Sequence, residues 1–383
     1  MMEYRKCNDR EISLLGFGCM RFPVSRGHID VAKTEAMIDY AVECGVNYFD
    51  TAYVYHGGKS ESILGDALRK YPRESINIAT KMPLSPKYLD NAEQVFATQL
   101  KRLKTGYFDF YLCHNMNQET FRSFEKFRIF EFLKQKQEQG YIKNLGFSFH
   151  DSPKLLKHIV SNYDFDFAQI QLNYMDYTFQ KAKEQYETLT DSGLPISVME
   201  PVRGGALAVL CDESAQILKW ANPVVSVASW AIRYAMTFPN VMTVLSGMTD
   251  MDQVIDNCRT AANFIPISTD EQTVIDAALK VYAKSGAIPC TGCNYCGECP
   301  KGIQIPHLIA IYNAYIRQNR TEQNRTEQNR TEQNRQFRIG YNVFRKDPQI
   351  CINCGSCVAK CPQKIAIPKI LKNIVNLKTG LGQ

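Results

Sequence analysis

Short apolar runs alternate with longer amphipathic stretches along the first 282 residues. "LLGFGCM" (14–20) precedes a helical pattern at 30–43, and "VNYFD" (46–50) precedes one at 60–70. "INIATK" (76–81) leads into 86–104, and "YFDFYLCH" (107–114) into 119–139. "KNLGFSF" (143–149), "FAQIQLN" (167–173), "PISVME" (195–200) and "VMTVLS" (241–246) follow, each ahead of another helix-like segment. Apolar runs this short read as strands buried on both faces, and strands alternating with helices predict a parallel sheet. Eight such repeats in this length match a TIM (β/α)8 barrel better than an open doubly wound sheet. No GxGxxG follows the first strand, which counts against a dinucleotide-binding open sheet.

Polar residues stand where these strands end. Asp50 closes the second, Lys81 the third and His114 the fourth, and Tyr55 lies in the loop straight after the second. Each alone has an ordinary explanation: a capping Asp, a snorkelling Lys, a satisfied core His. Consecutive strand ends share one rim of a barrel, however, and that rim is where barrel enzymes do chemistry. The four side chains are therefore expected to converge.

Composition changes the picture only beyond residue 282. Of the 14 cysteines, eight fall in two short runs. Cys290, Cys293, Cys296 and Cys299 give C-x2-C-x2-C-x2-C-P, and Cys351, Cys354, Cys357 and Cys361 give C-x2-C-x2-C-x3-C-P. The second is the spacing of bacterial ferredoxins, and the first is one residue short of it. Zinc ribbons space two Cys pairs much further apart, so the pattern favours two 4Fe–4S clusters over zinc. In two-cluster ferredoxins the fourth cysteine of each run serves the other cluster. By that rule one cluster takes Cys290, Cys293, Cys296 and Cys361, and the other Cys351, Cys354, Cys357 and Cys299. The remaining six cysteines (Cys7, Cys19, Cys44, Cys113, Cys211, Cys258) are isolated and read as buried thiols, Cys19 being the one expected at the rim.

Charge follows the same division. Residues 1–282 carry a net −4 and residues 283–383 a net +10. The basic residues lie among the cysteines without a recognition module, so nucleic acid is not an expected partner. No apolar run is long enough for a signal peptide or a membrane span, and the thiol content suits a cytoplasmic setting. Between the cysteine runs, "TEQNRTEQNRTEQNR" (321–335) is a polar repeat with no apolar stripe, expected as a solvent-exposed helical spacer without a catalytic role. Its sequons at Asn319, Asn324 and Asn329 carry no glycosylation in that setting. The expected organisation is a barrel over 1–282 and a small α-helical ferredoxin-like iron–sulfur domain over 283–383.

"FDTAYVYHGGKSESILGDAL" (49–68), "ATKMP" (79–83) and "DFYLCHN" (109–115) resemble the aldo-keto reductase family. So do "GFSFHD" (146–151), "QIQLNY" (169–174), "PVRGGAL" (201–207) and the "SGM…QVIDN" segment (246–257), and a subset of similar proteins carries the same cysteine tail. The resemblance implies carbonyl–alcohol interconversion with NAD or NADP. Tyr55 would be the general acid, Lys81 would lower its pKa, Asp50 would hold Lys81, and His114 would steer the carbonyl oxygen. Ser148 and Gln169 would contact the nicotinamide carboxamide, and Gln253 and Asn257 the adenosine half. Three departures stand out: Phe149 follows Ser148 where Asn is usual, Met199 stands where an aromatic ring stacks, and Gly247–Gln253 lacks the basic grip for a 2′-phosphate. Arg203 and Arg259 are the alternative sources of that charge.

Hydride chemistry moves two electrons and a cluster moves one, so the two need a mediator to exchange electrons, usually flavin. Three functions compete on these grounds. The first is a nicotinamide-dependent oxidoreductase of a small carbonyl or alcohol, its clusters structural or fed by a redox partner protein. The second is an FMN enzyme coupled to the clusters, and the third a non-catalytic electron-transfer subunit. The intact Asp50, Tyr55, Lys81 and His114 set weighs against the last.

Overall fold

The computed structural model describes residues 1–318, 327–343 and 346–381. The eight predicted strands are present as Leu15–Gly18, Tyr48–Asp50, Asn77–Pro83, Phe108–Met116, Ile142–Phe149, Phe167–Gln171, Ile196–Met199 and Val241–Gly247. They pair in chain order, all parallel, and the eighth closes on the first: a (β/α)8 barrel. Every residue of the third strand is buried, as are nearly all of the fourth and fifth. That explains why the strands are continuous apolar runs rather than alternating ones.

Two expected helices are each broken in two. The stretch 86–104 forms Pro86–Leu89 and Ala92–Leu103. The stretch 119–139 forms Gln118–Lys126 and Ile129–Glu138, parted at Arg128, whose φ of 51° no right-handed helix can contain. One element escaped the hydrophobic pattern altogether. Tyr4–Cys7 and Arg10–Ser13 pair as an antiparallel hairpin across the turn Asn8–Asp9, with Asn8 at φ 51°. Its Cys7 and Ile12 pack into a core layer with Tyr48, Ala79, Phe110, Leu112, Phe167, Met242 and Leu245. Its buried positions, Cys7, Ile12 and Ser13, are too few and too mixed in polarity to show as a run.

By contacts the chain divides into two compact units, 1–201 with 231–267, and 202–230 with 268–383. A cut at 282 would instead leave 202–230 and the helix Thr269–Ala283 with the barrel. In the second unit, the helices Ile305–Gln318, Glu327–Asn342 and Ile367–Gly380 surround a core that includes Ile303, Leu308, Ile309, Phe337, Tyr341, Ile365, Leu371 and Ile374. Six of the eight clustered cysteines pack against it: Cys290, Cys296, Cys299, Cys351, Cys357 and Cys361. Of the pentapeptide repeat, residues 321–326 lie outside the described residues, as do Asn319 and Asn324. The last repeat is helical, but Gln333 is buried and Asn334 accepts a bond from Tyr315 at 3.2 Å, so it is more than a solvated spacer. Among the described residues no helix is long and apolar enough to cross a membrane.

On the fifth strand a glycine faces an aromatic ring of its neighbour. Gly146 pairs in register with Phe167, and a Cβ there would sit 2.5 Å from the ring and 2.6 Å from the Phe167 carbonyl oxygen. Backbone in a closed sheet cannot move away without opening the ladder. Gly146→Ala is expected to cost about 1–3 kcal/mol, read as a lower thermal unfolding midpoint for the anaerobic protein. An unchanged midpoint would show that the barrel has slack at this layer.

Candidate functional site

The four rim residues converge. Asp50 is the last residue of the second strand, and Tyr55 opens a tight turn, Tyr55–Gly58, whose His56 and Gly57 take φ of 51° and 64°. Lys81 is fully buried in the third strand. Its ammonium donates to Asp50 Oδ1 at 2.5 Å and to the Thr51 carbonyl at 2.7 Å, and reaches the Tyr55 hydroxyl at 3.5 Å. Gln169 donates to the other Asp50 oxygen at 3.0 Å. His114, on the fourth strand, meets Tyr55 edge to face with ring centroids 5.7 Å apart.

Electrostatics here differ from the sequence expectation. Burial, then the charges of Asp50, Glu200 and Cys19, hold the Tyr55 phenol well above its ordinary value, against an opposing pull from Arg21. Lys81 was expected to lower it. Its ammonium is engaged by Asp50 and Thr51, and the bond to Tyr55 is the longest of the three. Tyr55 therefore carries its proton, the form an acid needs. Burial, with Lys81 and His150 adding to it, holds His114 well below the ordinary imidazole value, so it is neutral. His150, just past the fifth strand, is pushed down to about 4 by burial and then Lys81.

The nicotinamide-side candidates divide. Ser148 and Gln169 are register partners on the fifth and sixth strands, and Gln169 touches Asp50 directly. Ser148 Oγ accepts from the Asn115 amide at 2.7 Å. Met199 ends the seventh strand, half-buried. Gln253 and Asn257 stand apart, on the helix Met251–Ala262. Gln253 accepts from the Thr249 amide at 2.9 Å, and Asn257 is buried, donating to Ser246 Oγ at 2.8 Å.

Two basic side chains reach the Gly247–Gln253 stretch from elsewhere in the chain, which contiguous sequence could not show. A Cβ on Gly247 would lie 2.9 Å from Arg21 Cδ, and Lys33 pairs with Asp250 at 2.8 Å. Arg21 pairs with Glu200 at 3.3 Å, and Glu200 itself sits at the strained φ of 56°. Arg21 follows the first strand, and its place on the rim was the available signal. Arg203, fully buried in the second unit, cannot reach a solvent-borne phosphate, whereas Arg259 is exposed. Cys19 is also fully buried, its thiol held well above the ordinary value first by burial, so it is no ligand contact.

The eight tail cysteines line two cavities in the second unit, and each cavity draws on both runs. One has Cys290, Cys293, Cys296 and Cys361 in its wall. The other has Cys299, Cys351, Cys354 and Cys357. Isoleucine, leucine and proline supply much of the remaining lining. Among the described residues no three His, Cys, Asp or Glu side chains converge on a single ion position. Crowding penalises thiolates without a cation between them: burial, then Cys293, Cys290 and Cys361, push Cys296 up to about 12. Four thiols around an apolar hollow suit a multi-iron cluster, whose irons would stabilise the thiolates.

The closed parallel barrel, with Asp50, Tyr55, Lys81 and Gln169 gathered on its rim, makes this a (β/α)8 protein with its polar site at the strand ends. Residues 14–280 match the aldo/keto reductase family and residues 289–367 a 4Fe-4S dicluster domain. The chain belongs to the aldo/keto reductase family and carries the dicluster domain after its barrel. It is 26% identical over 306 residues to the uncharacterized oxidoreductase YqkF of Bacillus subtilis, covering 71% of this chain and 94% of that one. It is 24% identical over 317 residues to the NADH-specific methylglyoxal reductase of Escherichia coli, covering 70% and 94%. Among solved structures it resembles aldo-keto reductase AKR11C1 of Bacillus halodurans, with TM-score 0.58, 25% identity, and 73% and 96% covered. An aldo-keto reductase of Klebsiella pneumoniae in complex with NADPH shares the fold, with TM-score 0.58, 19% identity, and 74% and 95% covered.

The mixed walls yield a direct prediction. Cys361→Ala should strip iron from the cavity of Cys290, Cys293 and Cys296 and spare the one of Cys351, Cys354 and Cys357. Iron analysis and EPR of the variant beside Cys299→Ala check this. Loss confined to the mutated run's own cavity would mean that each run binds alone.

Proposed function

We propose that the chain interconverts small carbonyl compounds and alcohols with a nicotinamide cofactor at the barrel rim, and that its two 4Fe–4S clusters serve electron transfer or structure outside that step. The observation that carries this reading is the buried Lys81, joined to Asp50 at 2.5 Å and to Tyr55 at 3.5 Å. A reduced nicotinamide held beside Ser148 and Gln169 would supply the hydride that a carbonyl carbon takes up to become an alcohol. Tyr55 gives its hydroxyl proton to the carbonyl oxygen. Lys81, kept charged beside Asp50, offsets the phenolate left behind. Neutral His114 orients the same oxygen through a ring N–H. Ser148 and Gln169 would hold the carboxamide, and Gln169 also bonds to Asp50.

Cofactor identity rests on less. The E. coli relative is named for NADH and the K. pneumoniae structure holds NADPH. Neither name supports FMN on this rim. We assign the chemistry to residues 1–282 and the clusters to 283–383, with Cys290, Cys293, Cys296 and Cys361 on one cluster and Cys299, Cys351, Cys354 and Cys357 on the other. A cytoplasmic setting with a redox partner protein fits the reduced thiols.

Replacing Tyr55 by Phe removes the proton and little else. Carbonyl reduction should fall about 10²–10⁴-fold with NADH or NADPH binding unchanged, as read by turnover at saturating cofactor and by titration of quenched fluorescence. Equal turnover in the variant would sink the mechanism.

Cofactor preference should turn on Lys33. Its charge is held by Asp250, whose carboxyl is in turn lowered below the usual range by that bond. The wild type should therefore show no wide preference between NADH and NADPH. Asp250→Asn keeps a good N-cap for the helix Met251–Ala262 while freeing the ammonium. The variant's affinity ratio should move a few-fold towards NADPH; an unmoved ratio would remove Lys33 from the phosphate site.

A further inference from the structure

Besides Asp50, a second carboxylate ties the loop of Tyr55 to the strand of Lys81. Glu61, in the first turn of the helix Ser60–Leu68, has a fully buried side chain. One of its oxygens accepts from the Thr80 hydroxyl at 2.7 Å and from the Gln99 amide at 2.8 Å. Gln99 also donates to the Lys81 carbonyl at 3.1 Å, so these bonds grip the strand. The other oxygen accepts from Arg102 Nη1 at 3.1 Å, and the same nitrogen donates to the Tyr53 carbonyl at 3.3 Å. The guanidinium lies over the Tyr53 ring, 4.4 Å from its centroid. Gly58, which closes the turn of Tyr55, takes φ of 88°, and a Cβ there would lie 3.2 Å from Arg102 Nη2. These contacts grip the loop.

The base of this arm is fixed as well. Gly65 lets the helix Ser60–Leu68 lie against the backbone of Ala92–Leu103, since a Cβ at Gly65 would stand 2.6 Å from the Arg102 carbonyl oxygen. With that backbone in place, the planar fork of the guanidinium defines where Tyr53 and Gly58 stand relative to Glu61. Tyr55 lies between Tyr53 and Gly58 in the chain, and its hydroxyl is 3.5 Å from the Lys81 ammonium, longer than a usual hydrogen bond. Such a contact leaves little room for drift. A displacement of about 1 Å in a catalytic group can cost about 10²-fold in rate. We propose that Arg102 is a positioning residue for Tyr55, holding the loop of the acid at a set distance from Lys81 through Tyr53 and Glu61. The role rests on the reaction assigned above to Tyr55 and Lys81.

Arg102→Lys keeps a charge beside Glu61, so no buried carboxylate is stranded, but one ammonium cannot hold Glu61 and Tyr53 as the fork does. In the anaerobic holoprotein this substitution should lower kcat about ten- to a hundredfold at saturating cofactor, with KM and the affinity for NADH or NADPH left in place. A double-mutant cycle with Tyr55→Phe separates positioning from a general weakening of the barrel. If Arg102 acts through Tyr55, Arg102→Lys should cost nothing further in the residual turnover of Tyr55→Phe, where no phenol remains to be placed. Tyr53→Leu leaves the ion pair and takes away the ring under the guanidinium. It should behave in the same way, and it carries the test if Arg102→Lys does not yield folded protein. Losses that multiply across the cycle, an unchanged kcat in the single variants, or a cofactor affinity that falls as far as kcat would overturn the positioning role alone. A wild type that reduces no carbonyl would overturn the reaction itself, and this role with it.

Discussion

A lysine ammonium without contact to water must be matched, and Lys81 organises the rim because it is matched there. Asp50 meets it from the neighbouring strand, the Thr51 carbonyl meets it from the start of the following loop, and Gln169 takes the carboxylate's second oxygen from across the barrel. Removing one member of such a buried pair strands the other, at about 3–5 kcal/mol. The same ion pair that makes the site chemically useful thus ties together the strands that form it. Burial, reinforced by the charge of Lys81, keeps His114 and His150 neutral, and burial with Asp50 keeps Tyr55 protonated. An acid that holds its proton until a charged lysine faces the phenolate is suited to carbonyl reduction.

The barrel was legible because strands buried on both faces are apolar runs, and the rim because Asp50, Lys81 and His114 stand at the ends of successive runs. The hairpin at 4–13 was not, since its few buried residues are mixed in polarity and sit among charges. The break at Arg128 was not either, because a left-handed residue other than glycine leaves no compositional mark. Long-range pairs were the hardest to see. Arg21 with Glu200, and Lys33 with Asp250, join positions far apart in the chain, so the stretch that looked free of basic residues has two beside it. Arg203 was misjudged for the same reason: its partners, Pro289 and Gln363, come from the other end of the sequence. The cysteine sets were the reverse case: the two-cluster ferredoxin rule puts Cys299 and Cys361 with the opposite runs, and the cavity walls group the thiols in the same way.

Two kinds of redox chemistry share one chain. A nicotinamide transfers electrons in pairs and a cluster transfers them singly, so proximity in sequence does not make them one circuit. In the proposed reaction the barrel would supply a proton donor, a counter-charge for what remains, and polar groups for the carboxamide. The dicluster domain brings its thiols together around apolar hollows, an arrangement that suits iron–sulfur clusters. The account therefore assigns carbonyl reduction to the barrel alone.

Isotope transfer tests that assignment most directly. The anaerobic holoprotein would be given NADH, and separately NADPH, deuterated on either face of the nicotinamide C4, with a panel of small aldehydes and ketones. Mass spectrometry would then locate the label in the alcohol formed. The account predicts deuterium on the former carbonyl carbon from one of the two faces, at one atom per product molecule. Alcohol formed without deuterium from either face would show that the electrons arrive another way, and the barrel mechanism would be wrong.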